Sequence, residues 1–239
     1  MDMAIKRGHL INSLRAASYC AVTLMIYLGI PLLGWGLDDL PGFFATKPRF
    51  GYAVAILLFG IAIGIQAAIA PIGIRGSDGI RQKLLSRQRI IRIAVTVLLY
   101  LALFFLTYMD RRAIAIMPGT ELTRWIGLVL FIMGMALVVL SGIALNRFYS
   151  KDVTIQVDHK LITSGVYCRI RHPRYLGGIL SSAGLCLLYL SWAGLFGMAA
   201  FIILIFIRIH DEEQLMHQEF GSQWESYCGR SWKLVPFIF

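Results

Sequence analysis

A chain of 239 residues that is 58% hydrophobic and only 15% charged has too few polar side chains for a soluble globular fold. Its net charge of +10 would by itself admit a nucleic-acid partner, but the basic excess sits in loops beside long apolar runs, where it marks membrane topology. The four cysteines, Cys20, Cys168, Cys186 and Cys228, show no CxxC or metal-ligand spacing, so free and mostly buried thiols are expected.

In chain order, Lys6, Arg7 and Arg15 precede the apolar run Ala16–Trp35, which is too long for a signal-peptide core and reads as a retained first span. Asp38 to Phe50 is a turn region in which Asp38 and Asp39 stand against Lys47 and Arg49. A second span is expected at about Gly51–Ile74, where Gly60 and Gly64 form a small-xxx-small pair that admits a neighbouring helix. The strongly basic stretch Arg75–Arg92 separates it from a third span, about Ile93–Met109. A mixed loop, Asp110 to Arg124, leads to a fourth span at about Trp125–Leu145. The N-terminal segment, the Arg75–Arg92 loop and residues 147–175 carry three, six and six Arg/Lys, against two and three in the alternate loops. Positive-inside then places the richer set, and both chain ends, in the cytoplasm.

Leu176–Ile207 is 32 residues without a charge. As one helix it would run about 48 Å, too long for one ordinary crossing of about 30 Å. Ser191-Trp-Ala-Gly194 interrupts it with small residues, so a helix-turn-helix that enters and returns is expected. Such a hairpin would bring two polar clusters to one face. The first is the turn-rich loop Leu161 to Gly178, where Gly165 suits a bend and Pro173 suits the first turn of a helix. Arg169, Arg171, His172, Arg174 and Tyr175 gather there. The second is Arg208-Ile-His-Asp-Glu-Glu213, in which Arg208 and Glu212 share a helical face. Arg208 taken alone reads first as a boundary residue that snorkels to the interface. His9, His210 and His217 show no zinc spacing with an acidic partner, which argues against a metal site.

Leu161…Gly165-Val-Tyr167…Arg171-His-Pro-Arg-Tyr175-Leu-Gly177, followed by Arg208…Glu212-Glu213…Leu215…Phe220-Gly221…Tyr227…Pro236, resembles the isoprenylcysteine carboxyl methyltransferases and the related membrane phospholipid methyltransferases. The resemblance covers roughly the C-terminal 90 residues. It implies a membrane-embedded, non-Rossmann site for S-adenosylmethionine in the cytoplasmic C-terminal loops, with a lipophilic methyl acceptor entering from the bilayer. Carried over by position, cofactor contacts would come from Gln156, His159, Lys160, Leu161, Ile162, Tyr167, His172, Pro173, Arg174, Tyr175, Glu212 and Glu213, while Arg208 would hold the acceptor's carboxylate. The same resemblance divides the chain into N-terminal spans, 1–146, and a methyltransferase core, 147–239.

The ending Phe220-Gly-Ser-Gln-Trp224-Glu-Ser-Tyr227-Cys228…Pro236-Phe-Ile238 also resembles the membrane sterol reductases, which use NADPH and share an Arg-His-Pro-x-Tyr segment. Those enzymes resemble Gly-Leu-Trp where this chain has Gly165-Val-Tyr167, and lack the Glu212-Glu213 pair in this form. A non-catalytic scaffold is disfavoured by the presence of His172, Arg208 and Glu212. The expectation is therefore an all-α polytopic membrane protein with four spans and a C-terminal hairpin. It would be a methyltransferase of the bacterial inner membrane or the endoplasmic reticulum, with the bilayer and a lipid acceptor as partners and neither nucleic acid nor metal.

Overall fold

The computed structural model describes residues 2–69, 80–83, 86–145, 154–156 and 160–237, and for 2–10, 69, 80–83, 86 and 154–156 the backbone alone. Helix α1 (Asp2–Leu24) passes through one π-helical turn, Met25–Gly29, into α2 (Ile30–Trp35), and Gly36 ends it with a φ of 108°. A short α3 (Leu40–Phe44), capped by the Asp39 carboxylate on the Gly42 amide, leads into α4 (Lys47–Ile69). Helices α5 (Ser86–Arg111) and α6 (Glu121–Leu145) follow, then α7 (Pro173–Leu188), α8 (Trp192–Phe220) and a short α9 (Ser222–Cys228). The all-α membrane reading holds for the bulk of the chain. Two short strands were not foreseen: β1 (Ile80–Lys83) pairs antiparallel with β2 (Thr154–Gln156), and Ile80 lies opposite Gln156.

Among the described residues five helical stretches are long and apolar enough to cross a membrane: Ile11–Trp35, Lys47–Ala68, Arg87–Arg111, Glu121–Leu145 and Trp192–Phe220. The fifth is one arm of the expected hairpin, and the two arms are unequal. α7, with 16 residues, rises about 24 Å, whereas the 29 residues of α8 rise about 44 Å. α8 gains this length by continuing past Ile207 through the second polar cluster. The hairpin turn also falls earlier than expected, at Tyr189–Ser191, with Leu190 at a φ of 48°. The reason is local: Ser191 is the N-cap of α8, its hydroxyl accepting from the Gly194 amide at 3.1 Å, so Trp192–Gly194 form a first helical turn rather than a loop.

The described chain divides into two compact units. One comprises the N-terminal helices with Leu99–Ile132 and Ala183–Leu195. Here Gly64 of α4 lies so close to α1 that a Cβ would come within 2.7 Å of the Ala16 carbonyl, as the small-xxx-small spacing implied. Gly127 of α6 and Gly184 of α7 meet similarly, each leaving a Cβ only 2.6 Å from the other's carbonyl oxygen. Charges that looked like ordinary loop residues form one buried network. Asp110 Oδ2 accepts from Arg49 and Arg124 at 2.9 Å each, and Oδ1 accepts from Arg124 at 2.7 Å. Arg49 also donates to the Gly42 and Phe43 carbonyls and lies 4.3 Å over the Trp35 ring. Arg124 donates to the Leu188 carbonyl at 2.6 Å, satisfying an orphan group at the end of α7.

The second unit comprises Gly73–Leu98, Met133–Ser182 and Phe196–Phe239. In it Gly177 of α7 abuts Gly134 of α6, a Cβ at Gly177 falling 2.6 Å from the Gly134 carbonyl. Ile205 and Ile209 of α8 form a small core with Leu234, against which Tyr175, Leu176, Ile179 and Phe201 pack. Burying Leu234 there ties the C-terminal segment to both arms of the hairpin, a contribution of about 1.5–3 kcal/mol.

Candidate functional site

The two polar clusters meet within the second unit. Pro173 opens α7, and as a first-turn residue it lacks only an amide that no helix would use. Its ring leaves His172 in the loop, with Tyr175 one turn into the helix. On α8 successive residues point about 100° apart, so Glu212 and Glu213 face different neighbours. Glu212 Oε2 accepts from the Tyr175 hydroxyl at 2.8 Å, and the same hydroxyl accepts from Arg208 Nε at 2.7 Å. One phenol thus joins the carboxylate to the guanidinium. The His172 ring stacks on Tyr175 at 5.7 Å, with its Nδ1 3.9 Å from Glu212 and its Nε2 3.2 Å from Glu213. A carboxylate is acceptor-only, so the Nε2 contact requires the proton on that nitrogen.

Glu213 is engaged differently. Its Oε1 also accepts from Arg171 Nε at 3.1 Å, and its Oε2 lies 3.1 Å from Lys233 Nζ. Arg171 extends further into the C-terminal segment, donating to the Ser231 carbonyl at 2.5 Å and the Cys228 carbonyl at 3.2 Å. The backbone there is paired as well: the Arg171 amide donates to Trp232 at 2.8 Å, the Trp232 amide to Arg169 at 2.8 Å, and the His172 amide to Lys233 at 3.1 Å. The Tyr227 hydroxyl donates to the Tyr167 carbonyl at 2.6 Å, fixing the loop from its other end. Burial pushes the Tyr227 phenol up to about 12, and it raises the Tyr167 phenol and the Cys228 thiol above their ordinary values. These groups are therefore neutral near pH 7, and the charge of the cluster is carried by its arginines, lysine and carboxylates.

Of the residues singled out in the sequence, His172, Tyr175, Arg208, Glu212 and Glu213 form one contiguous cluster, with Pro173 starting the helix that presents it. Tyr167 feels both Glu212 and Arg174 electrostatically. Leu161 instead lines an open depression with Thr163, Ser222, Gln223, Ser226 and Arg230. Lys160 is exposed and Ile162 half-buried. Gln156 is described only as backbone in β2, and His159 lies outside the described residues. Sequence reasoning missed Lys233 and Ser231, and it named Asp211 within the second cluster without giving it a role. Asp211 accepts from the Gln88 side-chain amide and lies 3.7 Å from Arg87. Lys233 had one available signal, as a lone cation in the stretch Trp232–Phe239. Among the described residues no three His, Cys, Asp or Glu side chains gather in a metal-binding group.

The chain is 30% identical over 161 residues to protein-S-isoprenylcysteine O-methyltransferase B of Arabidopsis thaliana, a match covering 65% of this chain and 77% of the relative. It belongs to the isoprenylcysteine O-methyltransferase family. A phospholipid methyltransferase family model matches residues 122–223 of this membrane methyltransferase, from the start of α6 past both polar clusters. The mouse Delta(14)-sterol reductase TM7SF2 is 29% identical over 99 residues, which cover 37% of the methyltransferase and 22% of the reductase; the likeness to reductases is thus real but short. A solved eukaryotic intramembrane Ras methyltransferase, isoprenylcysteine carboxyl methyltransferase, aligns over 92% of this chain and 98% of its own, with 18% identity and a TM-score of 0.48.

Proposed function

We propose that this methyltransferase uses S-adenosylmethionine to methylate the carboxylate of a lipid-linked, isoprenylcysteine-like acceptor, with residues 147–239 as the catalytic core and both chain ends in the cytoplasm. The observation that carries the reading is the Arg208–Tyr175–Glu212 chain of 2.7 and 2.8 Å, which joins a cation suited to an acceptor carboxylate with an anion suited to the cofactor. The donor set fits that cofactor. Glu212, with a side chain 32% exposed, can accept from an ammonium or from ribose hydroxyls. His172 and Tyr175 offer a stacked aromatic surface beside it, and Arg174 would supply positive charge for the cofactor's carboxylate.

When bound, the cofactor supplies a sulfonium-activated methyl group. The chain's own task is then positioning. Arg208 Nε donates to the Tyr175 hydroxyl, which orients the planar guanidinium that would meet the acceptor's carboxylate. A carboxylate is already an anionic nucleophile, so no general base is required, and none of the cluster's groups is assigned that role. The apolar faces of α7 and α8 keep the lipid portion of the acceptor out of water.

The expected result is that S-adenosylhomocysteine raises the melting temperature of the detergent-purified protein, NADPH leaves it unchanged, and labelled methyl groups pass to a prenylcysteine analogue. Stabilisation by NADPH alone would move the assignment to the reductase-like reading that the short likeness to the mouse enzyme favours.

A further inference from the structure

We propose that Glu213, Arg171 and Lys233 form a latch by which the C-terminal segment positions the His172 loop, so that of the paired carboxylates only Glu212 meets the cofactor. The proposal rests on the cofactor reading above and divides its two acidic residues by what they touch. Glu213 is already engaged by Arg171, His172 and Lys233 at 3.1, 3.2 and 3.1 Å, with its side chain only 19% exposed. Glu212 is more open and contacts the Tyr175–Arg208 pair. A ligand cation at Glu213 would have to displace Lys233 or Arg171 and leave a charge uncompensated in a mostly buried place, which is costly.

Three independent features make the C-terminal segment a positioning element rather than a trailing end. Leu234 is 3% exposed in the Ile205–Ile209 core, which locates the segment against α7 and α8. The backbone pairing of Arg169, Arg171 and His172 with Trp232 and Lys233 fixes the loop's register. Arg171 then spans the two sides, bonding Glu213 on α8 and the carbonyls of Cys228 and Ser231 together. His172 receives its position from this arrangement twice, through its amide to Lys233 and through its ring to Glu213. Because Tyr175 stacks on that ring, displacement of His172 propagates to the hydroxyl that joins Glu212 to Arg208. Lys233 is thus a positioning residue lying beyond the stretch that matches the phospholipid methyltransferase family.

The test compares the full-length parent with Lys233→Met, Lys233→Arg and Glu212→Gln in detergent. Binding of S-adenosylhomocysteine is read by calorimetry, and amide hydrogen exchange is read over 168–173 and 230–234. Lys233→Met is expected to speed exchange in both segments and to weaken S-adenosylhomocysteine about tenfold, the loss of one charge-assisted contact. The ligand-free melting temperature should shift by less than about 4 °C. Lys233→Arg, which keeps the cation, should restore both exchange and affinity. An unchanged exchange pattern in Lys233→Met overturns the latch, and so does accelerated exchange with affinity within about twofold of the parent. Failure of the cofactor reading looks different: the parent, like Glu212→Gln, binds no S-adenosylhomocysteine, while accelerated exchange in Lys233→Met still upholds the latch.

Discussion

At the residue scale, Arg208 is where a bland role and a functional one compete most directly. It ends an apolar stretch, and a snorkelling arginine needs only length and charge. Its Nε, however, is held by the Tyr175 hydroxyl at 2.7 Å, and that hydroxyl is held in turn by Glu212; boundary anchoring requires no such orientation. Lysine has no planar fork, so Arg208→Lys is expected to lower turnover on a carboxylate acceptor by about tenfold or more, at about 1.4 kcal/mol per tenfold. S-adenosylhomocysteine affinity should stay within about twofold of the parent, because Glu212 and its surroundings are intact. Steady-state rates with a prenylcysteine analogue make the comparison; a lysine variant as fast as the parent would return Arg208 to a boundary role. Much of this cluster was legible in advance, since Arg-His-Pro-x-Tyr and Glu-Glu sit at the two ends of one uncharged run. The division between Glu212 and Glu213 was not. It depends on a rotation of about 100° between neighbours and on partners such as Lys233 that lie far along the chain.

At the element scale, hydropathy located the long helices, but it could not show which charges in their connections are solvated and which are buried. The sequence places Asp110 at the start of a mixed loop; in the structure it lies in the last turn of α5, with a side chain 2% exposed. Its partners Arg49 and Arg124 come from α4 and α6, at sequence distances of 61 and 14, where no periodic pattern reaches. Two arginines sharing one carboxylate with three backbone carbonyls make a network whose removal is one-sided. Asp110→Asn would leave the buried Arg49 and the half-buried Arg124 facing a neutral amide, and a destabilisation of about 3–5 kcal/mol is expected. Thermal unfolding in detergent should show a clear drop in melting temperature, whereas Asp38→Asn, at an exposed pair with Arg111, should change it little. Equal effects from the two variants would mean that the Asp110 network is solvated after all. The glycine contacts of α6 and α7 escaped notice for a related reason. Gly127 and Gly134, like Gly177 and Gly184, repeat at seven residues and carry no polarity signal, and close approach becomes visible only when the facing helix is known.

At the scale of the whole molecule, the proposed site depends on one topological fact. The loop before α7 and the end of α8 must lie on the same side of the membrane as the cofactor supply. Within the second unit the hairpin is closed, since Tyr175, Leu176 and Ile179 of α7 pack on Ile205 and Ile209 of α8. A single crossing of Leu176–Ile207 would separate those residues by about 30 Å of hydrocarbon. The proposed cytoplasmic side rests on the loop charges, three, six and six basic residues against two and three. The proposed cofactor is soluble and zwitterionic and would be supplied from the cytoplasm, so the charge placement and the proposed chemistry favour the same face. Reporters fused after Lys160 and after Phe239 are therefore both expected to read cytoplasmic, and one placed after Ala115, between α5 and α6, to read the opposite side. Should Lys160 and Phe239 fall on different sides, the hairpin and the shared site fail together. Should both fall outside, the geometry would survive but S-adenosylmethionine would have no route to Glu212, and the donor would have to be something other than a cytoplasmic nucleoside.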